Sequence, residues 1–353
     1  MPKFILTDRY VSPHIAMIHD NNFNFIRLVL TILVLLSHAP ELIDGDRHRE
    51  LLTNIFHTLS FGELAVNGFF LLSGYLILQS WQRKPQFTSF LKKRILRIYP
   101  GFIVASLVSI FIVTPLAIQP LDFWRPTDLF VHLKGLVLLN TPSAPANVFQ
   151  GYPYPKVNSS MWTIVHEFRC YMLVAILGVI GGLNRSTTWL VMSAGVFVVH
   201  NLPLATCFPQ LSEEFAHHLS DLIRLLTFFC AGGCFYLLRD RIHYNQKYAL
   251  LALVVVIVSL FSPSLLQLTL PTLGGYVFFW FAFLKIPSLK PFGSTSDVSY
   301  GIYLYGWPTE KLLIWYLPSA SPWVIFICAV CITYVCGFIS WHLVEKPCLQ
   351  LRN

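Results

Sequence analysis

The chain has 353 residues, of which 55% are hydrophobic and only 12% charged, with a mean hydropathy of +0.60. Soluble domains carry about 25% charged residues, so this composition excludes an ordinary soluble globular protein and indicates a polytopic membrane protein. The net charge of +8 calls for no nucleic-acid partner, because Lys and Arg gather in the cytoplasmic loops of membrane proteins.

Residues 1–22 are polar and mixed, with Pro2, Pro13 and Asp20-Asn21-Asn22 as breakers, and are expected to form a cytoplasmic N-terminal segment. A first span is predicted over Phe23–Ala39, ended by Pro40 and the charged stretch through Arg49, and a second over Phe61–Trp81. The most basic stretch of the chain, Arg83 to Arg97, leads into a third span over Ile98–Ile118. The longest non-spanning segment, 119–160, is expected to be the main extracytoplasmic loop. Its apolar piece Leu129–Leu139 is too short to cross a bilayer. Further spans are predicted over Met161–Gly181, Thr188–Leu202, Leu219–Leu238, Tyr248–Ser262, Leu268–Leu284, Val298–Leu317 and Trp323–Val344, with Pro263 and Pro271 as breaks. The expected fold class is all-α: one integral membrane domain over 1–353, a bundle of about ten transmembrane helices. With the N-terminus in the cytoplasm, sixteen Lys and Arg fall in inner segments and five in outer ones, which sets both termini inside by the positive-inside rule. Most of the eight cysteines sit in apolar runs, where they act as small hydrophobes. Cys328-x-x-Cys331 lies within a predicted span, and no metal site is expected.

Ionisable groups inside spans are costly, so each is a functional hypothesis. Arg27 and His38 share the first predicted helix, about 16 Å apart along its axis. Two readings stand for His38: a hydrogen bond that only fixes helix packing, or a general base or acyl-carrying nucleophile. Arg27 either snorkels to headgroups or binds a phosphate or carboxylate. Arg94 and Arg97 are three apart and share a helical face. With Lys92 and Lys93 they carry a topology signal and anionic-lipid contact, while the guanidinium pair also suits a phosphorylated cytoplasmic donor. Trp162 opens the fourth span, in which Thr163, Glu167 and Tyr171 recur at four-residue spacing. Ordinary interfacial polarity is one reading of that end; orientation of an acceptor hydroxyl or an imidazole by Glu167 is the other. Gly68 and Gly74 suit close helix packing, with Ser73 as polar lining. Arg169, Arg224 and Lys311 are further intramembrane cations without an assigned role.

Several stretches then combine. Arg27 and His38 are separated by ten residues, and Gly68-Phe-Phe-Leu-Leu-Ser73-Gly74-Tyr75 follows in the second span. Next come Phe90-Leu-x-x-Arg94-x-x-Arg97-Ile-Tyr-Pro100 and Trp162-Thr-x-x-x-Glu167-x-x-x-Tyr171. Ser299-Tyr300-Gly301-Ile-Tyr303-Leu304 with Pro308, and Trp341-x-x-x-Glu345-Lys346-Pro347, complete the set. In order and spacing this resembles the acyltransferase-3 family of membrane acyltransferases, which includes bacterial O-antigen and exopolysaccharide O-acetyltransferases.

The resemblance implies a transferase of the bacterial inner membrane that uses cytoplasmic acyl-CoA, usually acetyl-CoA, as donor substrate, with no permanently bound cofactor. Its acceptor is then a hydroxyl on a lipid-linked or exported glycan. By motif match His38 takes the catalytic position and Arg27 that of its paired arginine; in the mechanism expected from these residues, Glu167 orients His38 or the sugar. Arg27, Arg94 and Arg97 meet the donor, and Ser73, Tyr171, Trp162 and Tyr303 are candidate lining. The segment 119–160 is expected to read the acceptor. Two positions depart from the family pattern: Asn67 stands where an acidic residue is common, and Gly306 where histidine is common. A stand-alone form without a fused extracytoplasmic domain is expected. The alternatives are a transporter or flippase for a lipid-linked or small anionic substrate, and a non-catalytic membrane scaffold.

Overall fold

The computed structural model describes residues 21–118, 126–145, 147–202, 208, 210, 212–289, 291–292 and 296–352. The expected N-terminal segment, Asn21 and Asn22 apart, lies outside the described residues, as do 119–125 and 146 of the expected outer loop and Lys290 of the inner charge set. Among the described residues the chain is helical with no strand. In order the helices are α1 (Phe23–Asp44), α2 (Leu51–Phe56), α3 (Phe61–Arg83), α4 (Phe87–Leu116), α5 (Pro126–Leu138) and α6 (Trp162–Val179). They continue with α7 (Ser186–His200), α8 (Glu213–Leu237), α9 (Gln246–Ser259), α10 (Pro263–Phe283), α11 (Ser299–Tyr316) and α12 (Pro322–Gln350).

Each predicted span falls on one of these helices. Seven of them, α1, α3, α4, α6, α8, α10 and α12, are long and apolar enough to cross a membrane, whereas α7 and α9 are shorter apolar helices. The protein is an all-α integral membrane bundle.

Three boundaries differ from expectation for local reasons. Helix α1 does not stop before Pro40 but runs through it to Asp44. A proline forfeits one backbone hydrogen bond, and here the turn beyond it is closed by Gly45. That residue sits at φ +84° and donates its N–H to Glu41 O at 2.8 Å. His38 and Glu41 therefore share a helical face. Helix α4 begins at Phe87 rather than at the predicted span start Ile98, so the whole basic run from Lys92 to Arg97 lies within it. Pro263 opens α10 after the break that ends α9, as expected, whereas Pro271 is absorbed into a wide π-turn over Leu270–Gly274 and does not break the span. The start of α3 is set by a capping box: Ser60 Oγ accepts from Glu63 N at 3.0 Å, and Glu63 Oε2 accepts from Ser60 N at 3.1 Å.

Small residues bring α3 and α8 into backbone contact. A Cβ placed on Gly74 would lie 1.9 Å from Phe229 O, and one on Gly232 would lie 1.9 Å from Leu71 O. Helices α1 and α11 run parallel. Thr31 Oγ1 donates to Ser299 O at 3.3 Å, Leu35 packs on Gly306, and the His38 ring meets Trp307 with centroids 5.0 Å apart. The segment between α5 and α6 is laid along α11 by side chain to backbone bonds. Tyr303 OH donates to Ser160 O (2.5 Å), Asn158 Nδ2 to Leu304 O (2.8 Å), Trp307 Nε1 to Lys156 O (3.0 Å) and Lys311 Nζ to Pro153 O (2.7 Å).

Candidate active site

Helices α1, α3, α4, α6 and α11 enclose a cavity of about 150 Å³. Its wall includes Arg27, Ser73, Arg94, Arg97, Glu167, Tyr171 and Tyr303. Sequence spacing places these residues only on separate helix faces; the bundle turns those faces toward one another.

Two of the three guanidiniums are anchored by a residue that sequence reasoning missed. Asp297, just before α11, accepts from Arg97 Nη2 at 2.7 Å, and the same oxygen lies 3.7 Å from Arg27 Nη1. Ser299 Oγ donates to the other oxygen at 2.6 Å. Burial by itself would raise the Asp297 pKa, but the Arg97 and Arg27 guanidiniums outweigh it and hold the carboxyl well below the usual range. Arg97 also reaches toward Glu345 of α12, at 3.8 Å, and stacks over the Tyr300 ring at 5.5 Å.

Arg94 differs. Its guanidinium lies 5.5 Å from the Phe90 ring centroid and 5.7 Å from that of Tyr171, and Nη2 donates to Ser80 Oγ at 3.3 Å. Its Nε is buried without a hydrogen-bond partner, and among the described residues no ion pair engages it. It is the cation of the cavity best placed to receive an anion.

Glu167 is half-buried and lines the cavity. Its Oε1 accepts from Ser73 Oγ at 3.0 Å and Tyr171 OH at 2.5 Å. One turn earlier on α6, Thr163 Oγ1 pairs with Tyr303 OH at 2.6 Å.

His38 and Trp162 are not on this cavity wall. Trp162 lies edge-on to His166, with centroids 5.5 Å apart. His38 lies further along α1, beside Trp307, which is one turn beyond the cavity-lining Tyr303 on the neighbouring α11. The expectation that Glu167 orients His38 is corrected here: Glu41 Oε2 faces His38 Nδ1 at 3.7 Å, while Glu167 is engaged with Ser73 and Tyr171. Glu41 is buried and accepts from Arg47 Nε at 2.6 Å. The pairing escapes a sequence reading that ends the helix at Pro40, although the three-residue spacing of His38 and Glu41 is visible. Asp297 has a weaker signal, as an acid two residues before the Ser299-Tyr300-Gly301 motif in a chain with 17 acidic residues.

Two of the three unassigned cations, Arg224 and Lys311, find structural partners. Arg224 donates to Asn67 Oδ1 at 2.6 Å and to Asp221 Oδ1 at 2.9 Å, tying α8 to α3. Lys311 is buried against Pro153 O and the Phe149 ring, 4.9 Å from its centroid. Among the described residues, no group of three or more His, Cys, Asp or Glu side chains is placed to hold a metal ion.

Chemically, a cavity with three guanidiniums suits an anionic substrate. An imidazole whose Nδ1 faces a carboxylate leaves Nε2 for proton transfer. Comparison with known proteins agrees with that chemistry. An acyltransferase domain model, that of the acyltransferase-3 family, matches residues 20–342. An O-acetyl transferase of Shigella phage Sf6 is 27% identical over 345 residues, covering 93% of this chain and 95% of that protein. Nodulation protein 10 of Rhizobium leguminosarum bv. viciae is 25% identical over 367 residues, covering 95% of each. The acyltransferase MdmB of Streptomyces mycarofaciens is 29% identical over 120 residues, 34% of this chain and 29% of that protein. No solved structure matches the chain. The chain belongs to the acyltransferase-3 family and is a membrane acyltransferase of groups other than amino-acyl groups.

Proposed function

We propose that the protein transfers an acyl group, acetyl in the first instance, from cytoplasmic acyl-CoA to a hydroxyl of a cell-surface or lipid-linked glycan in the bacterial inner membrane. The observation that carries this reading is the arrangement along the parallel helices α1 and α11. Arg27 and Asp297 stand at one level, and His38 with Glu41 and Trp307 at another. A donor held by its phosphates at the first level has its reacting carbonyl directed toward the second.

In this scheme Arg94, Arg97 and Arg27 hold the phosphates of the donor. Glu167 keeps Ser73 and Tyr171 turned into the cavity, and Thr163 with Tyr303 forms the polar wall leading toward His38. His38 Nε2 accepts the proton of the acceptor hydroxyl as its oxygen attacks the thioester carbonyl. The tetrahedral centre collapses, the C–S bond breaks, and the imidazolium returns the proton to the CoA sulfur. Glu41 stabilises the imidazolium in between. The name of the phage relative, an O-acetyl transferase, supports oxygen as the acceptor atom and acetyl as the group.

The test is mass spectrometry of surface glycans from cells carrying the native chain or His38→Ala. Loss of the acyl mass with His38→Ala is expected; undiminished acylation overturns the scheme. A radiolabelled acyl-protein that disappears in His38→Ala would replace direct transfer by an acyl-histidine route.

A further inference from the structure

Glu50 stands outside the cavity, in the segment between α1 and α2, and is only 4% exposed. Gly45 turns the chain at the end of α1, a short turn over Arg47–Arg49 follows, and Glu50 takes the N-cap position of α2. Its side chain makes no capping bond to that helix. It reaches two neighbouring helices instead. Glu50 Oε2 accepts from Ser37 Oγ of α1 at 2.8 Å, and Oε1 accepts from the backbone N–H of Phe61, the first residue of α3. The capping box satisfies Ser60 N and Glu63 N; Phe61 N–H is another of the donors that a helix start leaves without an internal partner, and Glu50 takes it. Among the described residues no cation pairs with Glu50, so hydrogen bonds rather than an ion pair hold its carboxyl.

Ser37 immediately precedes His38. The same short segment grips α1 beyond His38 as well, where Arg47 Nε donates to Glu41 Oε1 at 2.6 Å. Ser37 and Glu41 are four apart and share a helix face, so the segment holds α1 along the turn that carries His38. The fit is close: a Cβ placed on Gly62 would lie 3.0 Å from Ser37 Oγ, which sets the first turn of α3 directly against Ser37. The His38 ring itself meets Trp307 of α11. A turn tied to α3 at Ser37 and abutting α11 at His38 has one rotation about the helix axis. Without the Ser37 bond only the Arg47 contact remains, and that side chain is 59% accessible, so solvent screens the pair.

We propose that Glu50 is a positioning residue for His38. By joining Ser37 of α1 to the start of α3 it sets the rotation of the turn that carries the imidazole, and with it the approach of Nε2 to the acceptor hydroxyl. A general base has to reach its proton at hydrogen-bond distance, and a misplacement of about 1 Å costs up to about 100-fold in rate. This rests on the reading of His38 as the base.

The test uses membrane vesicles from cells that carry the full-length protein and their native glycan, with CoA release from acetyl-CoA as readout. Glu50→Ala is expected to lower kcat by about 10- to 100-fold, with KM for acetyl-CoA unchanged because other residues line the arginine cavity. Glu50→Gln is expected to stay within about 3-fold of the native rate, since its carbonyl oxygen accepts from Phe61 N–H and its amide N–H donates to Ser37 Oγ. Ser37→Ala leaves the bond to Phe61 in place and removes only the link to α1. It is expected to share the loss, at about 10-fold in kcat, and to add nothing further in a Glu50→Ala background. Elution as a single detergent-solubilised species reports folding for every variant, and Ser37→Ala decides the matter if Glu50→Ala does not accumulate. A native rate in Ser37→Ala would show that Glu50 only caps α3 and would overturn the proposal. A Gln variant as impaired as the Ala variant, or a rise in KM alongside the fall in kcat, would overturn it too. Undiminished CoA release by His38→Ala would instead remove the reading beneath it.

Discussion

Arg97 Nη2 and Asp297 Oδ2 lie 2.7 Å apart, and that bond joins α4 to the loop that starts α11 while also fixing Arg27, 3.7 Å from the same oxygen. One carboxylate thus holds two cations of the cavity in place. Asp297→Asn removes its charge and leaves two guanidiniums facing each other; breaking a buried pair in this way costs about 3–5 kcal/mol. The pH dependence follows from the direction of the Asp297 shift. Burial acts to raise its pKa, but Arg97 and Arg27 hold it below the ordinary value. A depressed carboxyl pKa gives stability that is complete above the unfolded value of about 3.9 and is lost as pH falls through the lower folded value. Asp297→Asn is therefore expected to lower the melting temperature in detergent by the same amount at pH 5 and pH 8. A difference that closes at pH 5 would contradict this assignment.

Arg94 carries no ion pair among the described residues, and its Nε is buried without a partner. Replacing it should therefore be felt by the donor more than by the fold. A charge-assisted hydrogen bond contributes about 1.5–3 kcal/mol, so Arg94→Gln is expected to raise KM for acetyl-CoA by about 10- to 100-fold. Its melting temperature should stay close to native. Steady-state kinetics in vesicles and a thermal melt check the two halves separately; an unchanged KM would remove Arg94 from the donor site.

What can be read from the sequence is whatever depends on short-range spacing. Arg94 with Arg97, and Glu167 with Tyr171, share helix faces because residues three or four apart must. The apolar runs mark helices because backbone polar groups in a bilayer have to be satisfied within the segment. What cannot be read is the pairing of distant segments. Nothing local to Asp297 says that it meets Arg97, 200 residues away. The Glu41 case is different. His38 and Glu41 are neighbours by spacing alone, and the relation is hidden only if Pro40 is read as a stop. A proline removes one bond, and the buried turn that follows it is held by the Gly45 cap and by Arg47.

The contact between α3 and α8 leaves no room for a side chain at Gly74, where a Cβ would fall 1.9 Å from Phe229 O. Backbone cannot yield as the tip of a flexible side chain can, so Gly74→Ala must separate the helices. Overpacking of this kind costs about 1–3 kcal/mol. Because Ser73 is the next residue, the same shift is expected to disturb its bond to Glu167. Gly195 of α7 is the control, because a Cβ added there would meet nothing within 4 Å; Gly195→Ala is expected to leave the melt unchanged. Equal melts for the two variants would refute close approach at Gly74.

Glu41 is the carboxylate that the geometry offers to His38, at 3.7 Å from Nδ1. A base works in proportion to how well it is oriented and how well its protonated form is stabilised. Glu41→Gln keeps the shape but removes the charge that opposes the imidazolium, so kcat is expected to fall by about 10- to 100-fold. KM for acetyl-CoA should hold, because Arg27, Arg94 and Arg97 line a cavity that Glu41 does not touch. Arg47 binds Glu41 from the exposed side, its side chain 59% accessible. Solvent screens that pair, so Arg47→Gln is expected to have the smaller effect on kcat. Glu167→Gln separates the two carboxylates: it alters the Ser73 and Tyr171 bonds inside the cavity and is expected to raise KM. If Glu41→Gln raised KM at constant kcat while Glu167→Gln lowered kcat alone, the roles of the two residues would have to be exchanged.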